Sequence, residues 1–288
     1  MKGLHYEDCS NDVKRQASLA KQYVEDYLKD ALVGFYLHGS IALGAFYEGR
    51  SDLDMLIVVN RELTKEERYQ LMYAFLLLHK KPIPIEASIV LQQDLQSWKH
   101  PLPYQFHFSD YWRKHYAEMA YWEDNRFWDF ETERTDIDLA CHVSVARQVG
   151  IALYGPAPET ILPVVPEVDF WHSIASEADT LMALQPAQKS EEAAAGHNDN
   201  EWTFDASDAY GVLTLLRIWS YRELGILYSK SAAALWASEI RLPQHLRYIP
   251  LSALDAYLGA TPSFHCQMEN WIELRAFLLN ACPIAKTA

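Results

Sequence analysis

Residues 38–59 read HGSIALGAFYEGRSDLDMLIVV. A Gly-Ser pair follows an apolar run, two further glycines sit in the connection, and two aspartates one residue apart open a second apolar run. ALVGFYLHG at 31–39 predicts a short buried strand ending in a glycine turn, and DLDMLIVVN at 52–60 a β-branched strand bounded by Asn60. Side chains alternate along a strand, so Asp52 and Asp54 are expected on one face with their carboxylates close together. Two like charges side by side are unfavourable unless a cation lies between them or water reaches both, and an oxygen-only pair suits Mg²⁺. The backbone amides of Gly39 and the Ser40 hydroxyl can face an anion at the turn, although such a turn is also an ordinary structural device.

The flanks supply helices. DVKRQASLAKQYVEDYLKD at 12–30 places Val13, Ala17, Ala20, Val24 and Leu28 on one face. TKEERYQLMYAFLLLHKK starts on a Thr64 to Glu67 capping box and stops at Pro82. PIEASIVLQ at 84–92 is a third strand, so the first hundred residues predict an α/β domain with a small mixed sheet. From residue 110 the periods are helical: DYWRKHYAEMAYW, TDIDLACHVSVARQVGIAL, WHSIASEADTLMALQ, ASDAYGVLTLLRIWSYRELG and SKSAAALWASEI. A Pro-rich crossing spans GPAPETILPVVPEV, and the polar 186–200 segment predicts a loop. The expected organisation is an α/β domain over 1–150 followed by an all-α helical-bundle domain over 151–288.

Composition narrows the function. The 288 residues carry 39 acidic against 25 basic side chains, a formal charge of −14, with no Lys/Arg stripe, which argues against nucleic acid and suits a cationic partner. Cys9, Cys141, Cys266 and Cys282 lack metal-site spacing and predict reduced thiols. No segment is long and apolar enough to span a bilayer, and a cytoplasmic protein is expected. His38, ahead of the Gly-Ser turn, can approach a phosphate but suits a structural role better, and His107, His115 and His142 have no metal-ligand spacing.

The Gly-Ser turn, Asp52-x-Asp54 and the following MLIVV strand resemble the nucleotidyltransferase fold shared with DNA polymerase β. That resemblance implies a third carboxylate on a later strand, and Glu86 in PIEASIV matches it. Asp52, Asp54 and Glu86 would then form a two-metal Mg²⁺ site, with Glu86 as the base that deprotonates the attacking hydroxyl. The chain further resembles the aminoglycoside (3'')(9) adenylyltransferase family through LHGSIALGAFYEGRSDLDMLIVV, IEASIVL, TDIDLACHVSVARQVGIALYGPAPE, LTLLRIWSYRELGILYSKSAAALWA and DAYLG. The resemblance implies ATP as co-substrate, contacted by Gly39, Ser40, Ser51 and Asp138, with Arg217 and Lys230 at the triphosphate. It implies antibiotic contacts from Trp112, Glu201 and Asp205, where an indole face and carboxylates suit a guanidinium-bearing polycation.

Each assignment has a plainer alternative: a salt bridge from Arg217 to Asp205 or Asp208, a solvated Lys230, a core Trp112. The implied function is AMP transfer to a streptomycin or spectinomycin hydroxyl by a monomeric resistance enzyme. The alternatives are a nucleotidyltransferase acting on another small molecule or a protein, and a non-catalytic nucleotide-binding regulator.

Overall fold

The computed structural model describes residues 3–122, 134–182 and 201–281, and the segment 186–200 read as a loop lies outside them. The chain divides into two compact units between Ser173 and Ile174.

In the first unit, α1 (Asn11–Leu28) starts on a Ser10 cap and buries Val13, Gln16, Ala17, Ala20, Val24 and Leu28. It leads to β1 (Leu32–Leu37), the turn helix α2 (Gly39–Ala42) and β2 (Leu53–Val59). The capping box at Thr64 opens α3 (Lys65–Leu78), with the Thr64 hydroxyl taking the Glu67 N–H and the Glu67 carboxylate taking the Thr64 N–H. Then come β3 (Ile85–Leu91), α4 (Gln92–Gln96), β4 (Leu102–Tyr104), β5 (Phe106–Phe108) and α5 (Asp110–Trp122). β6 (Arg134–Asp136), α6 (Leu139–Val149), β7 (Ile151–Tyr154), α7 (Pro158–Ile161) and the first part of α8 (Glu167–Met182) complete it.

The mixed five-stranded sheet has the order β5-β3-β2-β1-β7, and β4 pairs with β6 in a separate ribbon. β2 and β3 run parallel, with Asp54 level with Glu86. β1 is antiparallel to both β2 and β7. Alternation sorts the sheet into two faces. Phe35 and Leu37, Met55 and Ile57, Ala87 and Ile89, Phe106 and Phe108 join one apolar core with α1, α3 and Tyr116 of α5. The opposite face carries Tyr36, Leu56, Val58, Ser88 and Val90, also buried, and α6 lies against β2 and α2. A strand buried on both faces reads as a continuous apolar run, which is why MLIVV shows no polar alternation after Asp54.

The helical reading of GIAL is corrected. Gly150 closes α6, its N–H bonding to Ala146 O at 2.8 Å, and the chain continues as β7 against β1. The first unit therefore runs beyond residue 150, because β7 belongs to its sheet. The Pro-rich crossing contains the short α7, its first turn accommodating Pro158.

The second unit is helical: α9 (Ala206–Leu224), α10 (Lys230–Trp236), α11 (Tyr248–Tyr257) and α12 (Met268–Ala281). One two-stranded sheet, β8 (Glu201–Phe204) with β9 (Phe264–Gln267), stands among them. Its strands are sixty residues apart in sequence, so no hairpin signal marks them. Phe204 stacks on Phe264 with ring centroids 4.7 Å apart. Cys9, Cys141 and Cys266 stand as thiols, and Cys282 lies outside the described residues. Among the described residues no helix is long and apolar enough to cross a membrane.

Candidate active site

β1 delivers the chain to His38, whose N–H donates to Asp54 O at 3.1 Å, extending the pairing one residue past the strand. Gly39 follows at φ +62, and a Cβ built there would stand 1.9 Å from Asp54 Oδ2. Glycine is required twice over, by its left-handed backbone and by the carboxylate lying against its Cα. Gly39→Ala is expected to cut kcat/KM by about 10- to 100-fold, because the added methyl must displace the Asp54 carboxylate and the left-handed backbone adds strain. Steady-state kinetics beside a circular dichroism spectrum checks this, and native turnover in the Ala variant would refute it.

Asp52 lies one residue ahead of β2 and is exposed, whereas Asp54 is half-buried within the strand. Glu86 is half-buried on β3 directly beside Asp54, and neighbouring strands run about 4.8 Å apart. Among the described residues no three His, Cys, Asp or Glu side chains are gathered closely enough to hold a metal ion. Asp54 and Glu86 are thus neighbours in register with Asp52 adjoining, and the three do not form a closed cluster, an arrangement that eases repulsion between like charges. Their chemistry nevertheless fits a hard divalent cation: oxygen donors only, two of them half-buried and adjacent.

The Ser51 hydroxyl accepts the Tyr47 N–H at 3.0 Å, and the Ser51 N–H returns a bond to Tyr47 O at 2.9 Å. Ser51 is therefore buried as the clasp of the loop that carries Asp52, with its hydroxyl proton still able to donate. Ser40 is half-exposed in α2. Asp138 occupies the position just ahead of α6 and is exposed, its N–H bonded to Asp136 Oδ1 at 2.9 Å.

Three histidines surround this face, a feature that ligand spacing along the chain does not reveal. His38 is level with Asp54, and its ring lies 5.2 Å from that of His142 on α6. Burial, reinforced by the charge of His142, pushes the His38 pKa well below its ordinary value, so the ring stays neutral. His107 pairs across β5 with Ser88 and holds its hydroxyl at 2.9 Å, on the same side of the sheet as Glu86. Burial lowers the His107 pKa, while the carboxylates of Glu86 and Asp136 oppose that shift. The signal that finds these residues is strand register: positions 38, 54, 86 and 88, and 107 share one face once the pairing is known.

Trp112 is placed elsewhere. It is half-buried on the stripe of α5 that also carries Tyr116 and Met119, packed against the apolar core on the other side of the sheet. The first unit thus brings together Gly39, Asp54 and Glu86, with Asp52 adjoining, and leaves Trp112 apart from them.

In the second unit, Glu201 opens β8, its backbone paired with Gln267. Asp205 and Asp208 exchange bonds at the start of α9, each carboxylate taking the other's N–H at 3.0 Å. Burial raises the Asp208 pKa, the Asp205 N–H opposes it, and the Asp205 charge adds to the rise. Arg217 stands nine residues beyond Asp208, about 14 Å along the helix and half a turn round it, so a direct pair between them is geometrically remote. Its Nε donates instead to Tyr228 O at 2.9 Å. Lys230, in the first turn of α10, sets its Nζ 4.2 Å from the Tyr210 ring centroid and 5.3 Å from that of Tyr257. That cation–π seat fixes the ammonium, which is therefore not a loosely solvated helix-start lysine.

Residues 18–107 match the family model described as nucleotidyltransferase domain, and residues 160–281 match the aminoglycoside adenylyltransferase, C-terminal domain. Over 254 residues the chain is 30% identical to an aminoglycoside (3'') (9) adenylyltransferase of Shigella flexneri, covering 86% of each. A spectinomycin 9-adenylyltransferase of Staphylococcus aureus is 26% identical over 253 residues, again with 86% of each chain covered. The fold matches a crystallised spectinomycin adenyltransferase from Enterococcus faecialis, bound to ATP and spectinomycin, with a TM-score of 0.69. That pair is 22% identical, across 93% of this chain and 98% of the other. A nucleotidyltransferase unit whose Gly39 turn meets Asp54, with Glu86 level beside that aspartate, joined to the matching C-terminal domain, places the chain in the aminoglycoside (3'') (9) adenylyltransferase family.

Proposed function

We propose that this protein transfers AMP from ATP to a hydroxyl of an aminoglycoside or aminocyclitol antibiotic, with streptomycin and spectinomycin as the first candidates. The observation that carries the reading is the register of Asp54 beside Glu86, with the Gly39 turn held against the Asp54 carboxylate. Glu86, half-buried and next to the aspartates, accepts the proton of the antibiotic hydroxyl. The oxygen forms a bond to the α-phosphorus as the bond from that phosphorus to the β-phosphate oxygen breaks, and pyrophosphate leaves. Asp52 and Asp54, with Glu86, would hold Mg²⁺, which when bound offsets negative charge on the phosphates.

Gly39, Ser40, Ser51 and Asp138 are assigned to ATP, and Arg217 and Lys230 to its triphosphate; both cations are held by local bonds or rings and need no side-chain rescue from the solvent. Glu201 and Asp205 are assigned to the antibiotic, consistent with the formal charge of −14 and a polycationic substrate, and the core packing of Trp112 leaves it out of that assignment. The enzyme is taken to act as a cytoplasmic monomer that confers resistance by modification.

The test is a panel: purified protein with Mg·ATP and, in turn, streptomycin, spectinomycin and unrelated hydroxyl compounds, with pyrophosphate release as the readout. Release with at least one of the two antibiotics is expected. Release with neither would remove the substrate assignment, and release with an unrelated compound alone would redirect it.

A further inference from the structure

The peptide joining Pro84 to Ile85, immediately ahead of Glu86, is held at both ends. Its carbonyl accepts the N–H of Leu53, the residue between Asp52 and Asp54, at 2.8 Å. In a trans peptide the following N–H points the opposite way, so the Ile85 N–H faces away from β2. On that side β5 pairs with β3 only from Ala87, opposite Phe108, onward. The Ile85 N–H therefore lies beyond the reach of the neighbouring strand, at a buried position where an unmet donor is costly.

His79 meets it. The residue follows α3, and its Nδ1 accepts the Ile85 N–H at 3.1 Å. Because Nδ1 accepts, the ring proton sits on Nε2, which donates to Asp110 Oδ1 at 3.0 Å. The His79 side chain is 1% exposed, and its ring stands edge-on to Phe108 with centroids 5.4 Å apart. Asp110 opens α5 and also binds Lys80 Nζ and, at 3.2 Å, Arg113 Nε. The hydrogen bond from Lys80, seconded by that from His79, holds the Asp110 carboxyl at about 2. The imidazole thus has one tautomer and one orientation.

We propose that His79 is a positioning residue for Glu86: its Nδ1 substitutes for the absent strand neighbour and fixes the peptide that aims the Glu86 carboxylate. The proposal rests on Glu86 being the general base of the proposed reaction. Asn and Gln separate its two bonds. In His79→Asn the side-chain oxygen falls near the Nδ1 position and keeps the bond to Ile85. In His79→Gln the amide reaches toward Nε2, keeping the Asp110 bond at the expense of Ile85.

The experiment measures kcat, the KM for ATP, and amide hydrogen exchange at Ile85 in the full-length native, Asn, Gln and Leu forms. Gln and Leu are expected to lower kcat by about 10- to 30-fold, a misplacement effect, with the KM for ATP within about 2-fold and exchange at Ile85 at least about 10-fold faster. Asn is expected to stay within about 3-fold of native in kcat, with slow exchange preserved. A purely structural role would lower thermal stability in all three while leaving kcat per folded molecule unchanged, and that result overturns the proposal. Equal kcat in the Asn and Gln forms, or native exchange at Ile85 in the Gln form, overturns it as well. If Leu fails to fold, the Asn and Gln pair decides. If the native chain turns over neither antibiotic, it is the proposed function that fails, and exchange at Ile85 still decides the clamp.

Discussion

Glu86→Gln is expected to lower kcat by about 1,000-fold, within the span that a positioned general base contributes. The substitution keeps size and hydrogen-bonding capacity but removes the group that takes the proton. ATP affinity should change by no more than about 3-fold, since Gly39, Ser40 and the Asp54 carboxylate against the Gly39 Cα are untouched. Transient kinetics with ATP binding measured separately distinguishes the two effects. A Gln variant with native kcat would remove Glu86 from the chemistry, while loss of ATP binding alone would make it a nucleotide or metal ligand and not a base.

The second large effect is on stability. Gln16 of α1 is buried and serves three backbone groups of the connection between α3 and β3. Its Nε2 donates to Leu78 O at 2.9 Å and Ile83 O at 2.6 Å, and its Oε1 accepts the Ile83 N–H at 3.0 Å. Both carbonyls have a second donor, from Lys81 and Lys80 respectively, so the main loss in Gln16→Leu is the Ile83 N–H left without its acceptor. The expected destabilisation is about 3 kcal/mol, an unmet buried donor plus two weakened acceptors. For a unit of this size that lowers Tm by on the order of 10 °C. Thermal unfolding followed by circular dichroism checks it, and a shift under about 2 °C would show that the connection holds itself.

Gln16 and His79 also show why part of this molecule was hidden in its sequence. The strands over 31–39, 52–60 and 84–92 were legible, because each is a β-branched or apolar run bounded by turn residues. They form as β1, β2 and β3, each trimmed at its ends. Alternation placed Asp54 correctly on a face, but the pairing of Asp54 with Glu86 is a long-range register that no local pattern carries. Gln16 shares the apolar face with Val13, Ala17 and Ala20, and a polar residue on that stripe is the trace of its role; its partners at Leu78 and Ile83 are more than sixty residues away. β7 is not legible in the sequence because IALY continues an apolar run straight out of α6, with Gly150 as its one stop signal. β4 and β6, like β8 and β9, pair across long separations and are short, so neither turn chemistry nor period marks them. Trp112 illustrates the opposite case: an aromatic residue that suits a ligand by type is packed against the core by the period of its helix.

AMP transfer is the central claim, and the fate of the α-phosphate tests it most directly. The protein is incubated with Mg²⁺ and ATP carrying radiolabel at either the α- or the γ-phosphate, together with streptomycin or spectinomycin. Label from the α-position is predicted in the purified antibiotic and label from the γ-position only in pyrophosphate, with both signals appearing about 1,000-fold more slowly in Glu86→Gln. Antibiotic labelled from the γ-position, or unlabelled in both experiments with both drugs, would contradict the account.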